Sequence, residues 1–145
     1  MPRKLSTSLK KTHAAEITRI AIGNRKLVYL LLTNKPNHYR TGKSHIAYIG
    51  TTQNGIARVA SSIASHAEAI LSKHGVRHLT ARIITCSRRP RVATWKKLER
   101  ALLLLFRERY GEVPIGNKAG KARQEGDEFL YFNRETLRRK LLSLE

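Results

Sequence analysis

Acidic residues are scarce in this chain of 145 residues, and their scarcity limits the chemistry that it can support. The chain has 10 aspartates and glutamates against 29 lysines and arginines, and Asp127 is its only aspartate. Residues 1–98 contain 19 basic side chains and two acidic ones, Glu16 and Glu68, which gives a net charge of +17. Nucleases with two catalytic metal ions cluster several carboxylates around those ions. A metal enzyme with this sequence is therefore expected to use one carboxylate and one ion.

Other absences exclude several classes of protein. Cys86 is the only cysteine, which excludes an internal disulfide and any zinc site built on paired cysteines. No apolar run, including the four leucines at 102–105, approaches the length that spans a membrane. The basic N-terminus lacks the apolar segment of a secretory signal. These features predict a soluble, cytoplasmic protein, and the formal charge of +19 predicts a polyanionic partner, nucleic acid above all.

The hydrophobic pattern predicts an α+β fold. Helices are predicted at 8–22, 54–73, 93–110 and 133–144, and strands at 26–33, 45–50 and 79–86, with a further short strand at 129–131. The strand at 26–33 is apolar on both faces, which is typical of a central strand. Residues 34–44 (NKPNHYRTGKS) have the composition of a loop. The chain is divided into a basic arm and helix (1–25), a main domain (26–118) and an extension whose amphipathic helix packs on that domain (119–145).

Glu99 is the most informative residue of the sequence. On a helical wheel it falls between Phe106 and Tyr110, on the apolar face of its helix. A carboxylate on a packing face is costly unless a cation or a metal ion compensates its charge. Two interpretations remain open: a buried ion pair with an arginine, or a metal ligand.

Three further residues have the chemistry of a phosphate site. Arg58 lies in the first turn of its helix, opposite the apolar face, where a phosphate meets both a guanidinium and free backbone N–H groups. Taken alone, it also fits a solvated surface arginine. Tyr29 and Tyr48 lie inside adjacent predicted strands, and pairing of these strands would place both rings on one face near Arg58. Buried tyrosines are usually core residues, and next to a cation and a phosphate they can instead handle protons.

Together these residues resemble the GIY-YIG nuclease superfamily over residues 26–118. Leu27-Val28-Tyr29 is a degenerate first motif that keeps the tyrosine and lacks the leading glycine, and Tyr48-Ile49-Gly50 matches the second motif literally. Arg58, Glu99 and Asn117 follow in the order of the family's arginine, metal-binding glutamate and asparagine. The connection between the two motifs is long, as in some restriction enzymes of the family.

The resemblance implies a fold and a set of roles. The fold is a central antiparallel three-stranded sheet flanked by helices, here with added N- and C-terminal helices. A divalent ion, Mg²⁺ or Mn²⁺, is implied on Glu99, with Tyr29 taking a proton from the attacking water and Tyr48 positioning water or phosphate. Arg58 neutralises charge on the phosphate, and Asn117 orients the site. Some members use a histidine from this region, and His66 is expected to pack or to contact phosphate rather than to act in catalysis.

A basic surface is predicted to bind the nucleic acid. Its members are Lys35, Tyr39, Arg40 and Lys43 in the segment 34–44, with Tyr39 stacking on a base, and Arg88, Arg89, Arg91, Lys118 and Lys121. The leading hypothesis is an endonuclease that hydrolyses phosphodiester bonds in DNA, most readily duplex DNA. A non-catalytic DNA- or RNA-binding module on the same scaffold is the alternative. A basic structural protein of ribosomal or chromosomal nucleic acid explains the charge but not Glu99. DNA or RNA as substrate, the biological role and the oligomeric state stay open.

Overall fold

Three strands form one antiparallel sheet in the part of the chain that the computed structural model describes, residues 3–118, 120, 121 and 123–145. The strands are β1 (Leu27–Tyr39), β2 (Gly42–Thr52) and β3 (Leu79–Ile84). Their order is β2-β1-β3, which makes β1 the central strand, as its apolar pattern predicts. Residues 1 and 2 of the predicted arm and residues 119 and 122 of the predicted extension lie outside the described residues.

Helices cover both faces of the sheet, and the predicted α+β architecture is confirmed. They are α1 (Ile56–Leu71), α2 (Thr94–Tyr110), α3 (Glu128–Tyr131) and α4 (Arg134–Leu142). Alternate residues of β1 separate two cores: Leu27, Tyr29 and Leu31 pack on the α1 side, and Val28 and Leu30 pack on the side of α2 and α4. The chain end adds to the second core, where the His45 N–H donates to the Leu144 carbonyl at 2.8 Å.

The predicted loop at 34–44 is wrong, because β1 and β2 continue through it as a hairpin that turns at residues 40 and 41. The polar side chains that suggested a loop satisfy one another inside the hairpin. Asn37 Nδ2 donates to Thr33 Oγ1 at 3.0 Å and to the Ser44 carbonyl at 3.2 Å, and all three residues are buried. A shift of the β1–β2 register between Leu32 and Asn37 accommodates the proline within β1.

Two other predicted elements differ from the structure. The helix predicted at 8–22 is absent from the described residues, which contain only a short 3₁₀ turn at Arg19–Ala21. Its apolar stripe is small and contacts no core, and Ile17 is 62 % exposed, while isolated helices of this length are marginal in water. The strand predicted at 129–131 is the single helical turn α3, where Glu128 Oε2 accepts a hydrogen bond from the Gly126 N–H.

Candidate active site

Two tyrosines from neighbouring strands meet on the α1 face of the sheet. Tyr29 of β1 pairs with Gly50 of β2, and the ring centroids of Tyr29 and Tyr48 are 5.9 Å apart. Tyr29 is 1 % exposed, and Tyr48 is half-buried. A Cβ on Gly50 would lie 2.5 Å from Tyr29 Cζ and 2.5 Å from Tyr48 Cε1. The glycine of the Tyr48-Ile49-Gly50 motif is therefore required for both rings to lie against the strand, and the predicted common face is confirmed.

The electrostatics of Tyr48 connect it to the other predicted site residues. The pKa of Tyr48 is raised to about 12, mainly by burial and also by the neighbouring Tyr29. The negative charge of Glu99 acts in the same direction, and Arg58 acts against it. Tyr48 therefore keeps its proton at neutral pH and lies within electrostatic reach of both Glu99 and Arg58.

Glu99 lies in the first half of α2, and its side chain is 19 % exposed. Burial raises the pKa of Glu99 above its ordinary value, although Arg123, Arg100 and Lys96 all act to lower it. Its ion pair is with Arg123, whose Nη1 lies 3.6 Å from Glu99 Oε1. That separation is long for a charge-assisted hydrogen bond, so the carboxylate is only partly compensated.

The backbone of Arg123 is held in place by a hydrogen bond from Arg107. The guanidinium of Arg107 donates to the carbonyls of Gly120, Lys121 and Arg123, which holds these three residues against α2. Arg123 Nη1 is itself buried without a hydrogen-bond partner among the described residues. Arg123 is close to Asn117 in the sequence, but its position beside Glu99 depends on the hydrogen bonds from Arg107.

Asn117 contacts the backbone of β2. Its Oδ1 accepts from the Ile49 N–H at 3.0 Å, and its Nδ2 donates to the Ile49 carbonyl at 2.9 Å. The Gly116 N–H donates to the Ala47 carbonyl at 2.7 Å, so this turn pairs with the outer edge of β2 like a short extra strand. Asn117 therefore acts as a positioning residue, because Ile49 is flanked by Tyr48 and Gly50.

His66 packs on the exposed side of this cluster. Its ring centroid is 4.3 Å from that of Tyr48, and its Nδ1 donates to the Ser62 carbonyl one turn earlier in α1 at 2.8 Å. This contact fixes the tautomer and leaves Nε2 as an acceptor. His66 thus supports the Tyr48 ring, in the packing role expected for it.

The donor set suits a divalent ion that needs few protein ligands. The described residues contain no group of three or more histidine, cysteine or acidic side chains placed to hold a metal ion. Mg²⁺ is commonly held by one or two carboxylates, with waters and substrate phosphates completing its shell. Glu99, desolvated and only loosely paired, fits this mode of binding.

The predicted nucleic-acid-binding residues are dispersed over the surface. Eight of them are exposed: Lys35, Arg40, Lys43, Arg88, Arg89, Arg91, Lys118 and Lys121. The tip of the β1–β2 hairpin contacts the C-terminal end of α2, where the Thr41 N–H donates to the Tyr110 carbonyl at 3.2 Å. Tyr110 lies eleven residues beyond Glu99 in α2, about 16 Å along the helix axis. The hairpin tip therefore lies at the opposite end of α2 from Glu99.

The stacking role predicted for Tyr39 is wrong. Tyr39 is 8 % exposed, its hydroxyl donates to the Ile46 carbonyl at 2.6 Å, and its ring packs edge-on against Phe106 at 5.0 Å. Once residues 34–44 form a hairpin, alternation along β1 directs Tyr39 into the core.

The remaining observations concern the chain as a whole. Within the described ranges, no helix is long and apolar enough to cross a membrane. Comparisons with models of protein families, with curated proteins and with solved structures found no match to this chain. Its function is therefore inferred from the side chains of the site and from the charge around them.

Proposed function

We propose that the protein is a metal-dependent endonuclease of the GIY-YIG type that hydrolyses phosphodiester bonds in duplex DNA. One arrangement carries the proposal: the rings of Tyr29 and Tyr48 lie side by side with centroids 5.9 Å apart, and Arg58 and the largely buried Glu99 lie within electrostatic range of Tyr48. These residues come from β1, α1, α2 and β2, so only the fold brings them together.

The burial of Glu99 favours catalysis over simple binding. A surface that only binds phosphate gains nothing from a carboxylate, because the carboxylate repels the ligand. Here the carboxylate is also partly buried, which is unfavourable for its charged form. A role in holding Mg²⁺ or Mn²⁺ explains both features. When bound, such an ion supplies Lewis acidity, which withdraws charge from a phosphate oxygen and makes water more acidic.

The two tyrosines have different roles in the proposed proton transfer. Tyr48 keeps its proton, and its ring lies beside that of Tyr29 with the centroids 5.9 Å apart, so its hydroxyl is placed to donate toward the Tyr29 oxygen. In the proposed step Tyr29 acts as a phenolate: it takes a proton from the attacking water and becomes a neutral phenol, while the hydroxide attacks the phosphorus. Tyr48 supports the Tyr29 oxygen and positions the phosphate.

Arg58 and the start of α1 face the phosphate. Arg58 is exposed in the first turn of α1, which contains no acidic residue. Gly55 at the N-cap provides no side-chain cap, and the Arg58 N–H already donates to the Gly55 carbonyl at 3.2 Å. This leaves the N–H groups of Ile56 and Ala57 to meet an anion. The guanidinium stabilises the charge that increases on the phosphate as water attacks.

Cleavage assays on the full chain test the proposal. Supercoiled plasmid and duplex oligonucleotides are expected to be cut with Mg²⁺ or Mn²⁺ and left intact with EDTA. Glu99→Gln should abolish cleavage while DNA binding persists, and Tyr29→Phe should lower the rate by about 10²- to 10⁴-fold. The matched controls are Glu108→Gln, an exposed glutamate of the same helix, and Tyr131→Phe, and both should cut at the wild-type rate.

Two results would refute this function. The first is failure to cleave any DNA or RNA with either ion, and the second is a Glu99→Gln variant that cuts as fast as the wild type. Salt-sensitive DNA binding without cleavage would identify a non-catalytic binding module instead.

A further inference from the structure

A groove lies beside Arg58, and its other lining residues have no part in the proposed catalytic chemistry. It has a volume of about 210 Å³ and is lined by the end of β2, the first turn of α1 and the first turn of α2. Its lining residues are Thr51, Thr52, Gln53, Asn54, Arg58, Trp95 and Lys96. Pockets for whole small molecules usually measure about 300–1,000 Å³. This smaller groove suits one unit of a polymer that is bound mainly elsewhere.

Trp95 is the only tryptophan of the chain, and the core does not use it. It is half-buried, and neither hydrophobic cluster of the described residues includes it. Lys26 Nζ lies 4.5 Å from the ring centroid, a cation–π contact that covers one face. The indole also lines the groove, and large aromatic side chains outside a core are common at binding surfaces.

The charge of the groove indicates an anionic ligand that has an aromatic part. Arg58 and Lys96 are exposed cations in the same groove as the indole. Lys96 precedes Glu99 by about one turn of α2, and Arg58 belongs to both the groove and the proposed phosphate site, so the groove lies beside the candidate active site. A nucleotide combines a flat aromatic base with a phosphate, and aromatic side chains next to cations are the usual means of binding unpaired bases.

We propose that this groove receives one unpaired nucleobase next to the phosphate to be cleaved, with the base stacked on Trp95 and the adjoining phosphate facing Arg58 and Lys96. In a duplex, both faces of each base are covered by its neighbours, so only an unpaired or extruded base can stack on a protein ring. The inference rests on the proposed nuclease function for the position of the phosphate. It identifies a duplex with an unpaired nucleotide at the cleavage position as the preferred substrate among duplexes.

The intrinsic fluorescence of Trp95 tests this proposal directly, because no other tryptophan contributes to the signal. The full chain is titrated in EDTA, which prevents metal-dependent cleavage, with two labelled duplexes that differ only by one unpaired nucleotide. The label reports total binding, and the tryptophan reports stacking. We expect strong quenching by the duplex with the unpaired nucleotide and weak quenching by the fully paired duplex at equal occupancy.

Substitutions of Trp95 measure how much stacking contributes to the affinity for each duplex. Trp95→Leu should weaken binding of the duplex with the unpaired nucleotide by about 5- to 150-fold, and binding of the paired duplex by less than about twofold. Trp95→Phe keeps a stacking ring and should recover part of the loss. Phe129→Leu is the matched control: Phe129 also lies under a cation, with the Arg134 guanidinium 4.0 Å from its centroid, but it does not line the groove.

The outcomes separate this proposal from the nuclease function. Equal quenching by both duplexes would overturn the base-binding groove, as would a Trp95→Leu variant with unchanged affinities. Cleavage is measured in parallel with Mg²⁺. Selective quenching without cleavage would support the groove and refute the nuclease, whereas cleavage without selective quenching would refute the groove alone. Absence of binding to either duplex would refute both.

Discussion

Gly50→Ala is the substitution whose effect the structure defines most sharply. The added methyl group would lie 2.5 Å from Tyr29 Cζ, 2.5 Å from Tyr48 Cε1 and 2.6 Å from Tyr29 Oη. Neither ring can move aside freely, because Tyr29 is 1 % exposed and Tyr48 packs on His66 with centroids 4.3 Å apart. The substitution must therefore displace both tyrosines or the strand itself.

The magnitude follows from two opposing effects. Overpacking a core costs about 1–3 kcal/mol, and contacts this short with two ring systems place Gly50→Ala near the upper end of that range. Replacing glycine by alanine also restricts the unfolded chain, which offsets about 0.4–1 kcal/mol. The free energy of unfolding should thus fall by about 2 kcal/mol, or about 4–8 °C in Tm for a domain of this size. Because both tyrosines shift, cleavage should fall as well.

Urea or thermal unfolding measures the loss of stability, and the cleavage assay measures the loss of activity. Gly126→Ala is the control, because the nearest atoms to its new Cβ are the Glu128 carboxylate oxygens at 3.3 and 3.4 Å, well beyond the 2.5 Å contacts at Gly50. That variant should stay within about 1 kcal/mol of the wild type. If Gly50→Ala matches the wild type in stability, the packing of the two rings against β2 described above is incorrect.

Two other substitutions test the stability of the site. Glu99→Gln should raise the free energy of unfolding at pH 7, because burial raises the folded-state pKa of Glu99 above its unfolded value and so penalises the charged form. The gain should shrink as the pH falls through the folded pKa and vanish below the unfolded one. Glu108→Gln is its control, and a lower Tm for Glu99→Gln would identify a structural ion pair instead. Asn117→Asp keeps the acceptor for the Ile49 N–H but loses the donor to the Ile49 carbonyl, so urea unfolding should show a loss of about 1–3 kcal/mol. The same change at Asn133, a helix N-cap where aspartate serves equally well, should be neutral, and equal effects at the two positions would contradict the positioning role.

Much of the fold could be predicted because burial is strong where the sequence pattern is strong. The apolar run in β1 is central, and α2, with its four consecutive leucines, is buried along most of its length. The hairpin at 34–44 could not be predicted in this way. Thr33, Asn37 and Ser44 are polar and yet buried, and composition does not reveal that such groups will satisfy one another. Tyr39 was misplaced for the same reason.

The site shows the same division. The motif residues Tyr29 and Tyr48 were expected on one face, and the pairing of β1 with β2 places them there. The position of Arg123 depends on the hydrogen bonds that Arg107 donates to the backbone of its segment. The groove at Trp95 depends on how the first turns of α1 and α2 meet the end of β2. Contacts between elements that are distant in sequence produce no local sequence pattern, so they could not be predicted.

The geometry around Glu99 suggests a reason for a partly buried carboxylate in such a basic chain. The structure forms short ion pairs elsewhere: on the same helix, Lys97 Nζ lies 2.6 Å from Asp127 Oδ1, and this contact lowers the pKa of Asp127. The Glu99–Arg123 pair is longer, at 3.6 Å, and the pKa of Glu99 is raised despite three nearby cations. A pair selected for stability would be expected to show the opposite pattern, with close contacts and a lowered carboxyl pKa. The loose pairing instead favours a carboxylate whose full compensation comes from a ligand, as the proposed divalent ion would provide.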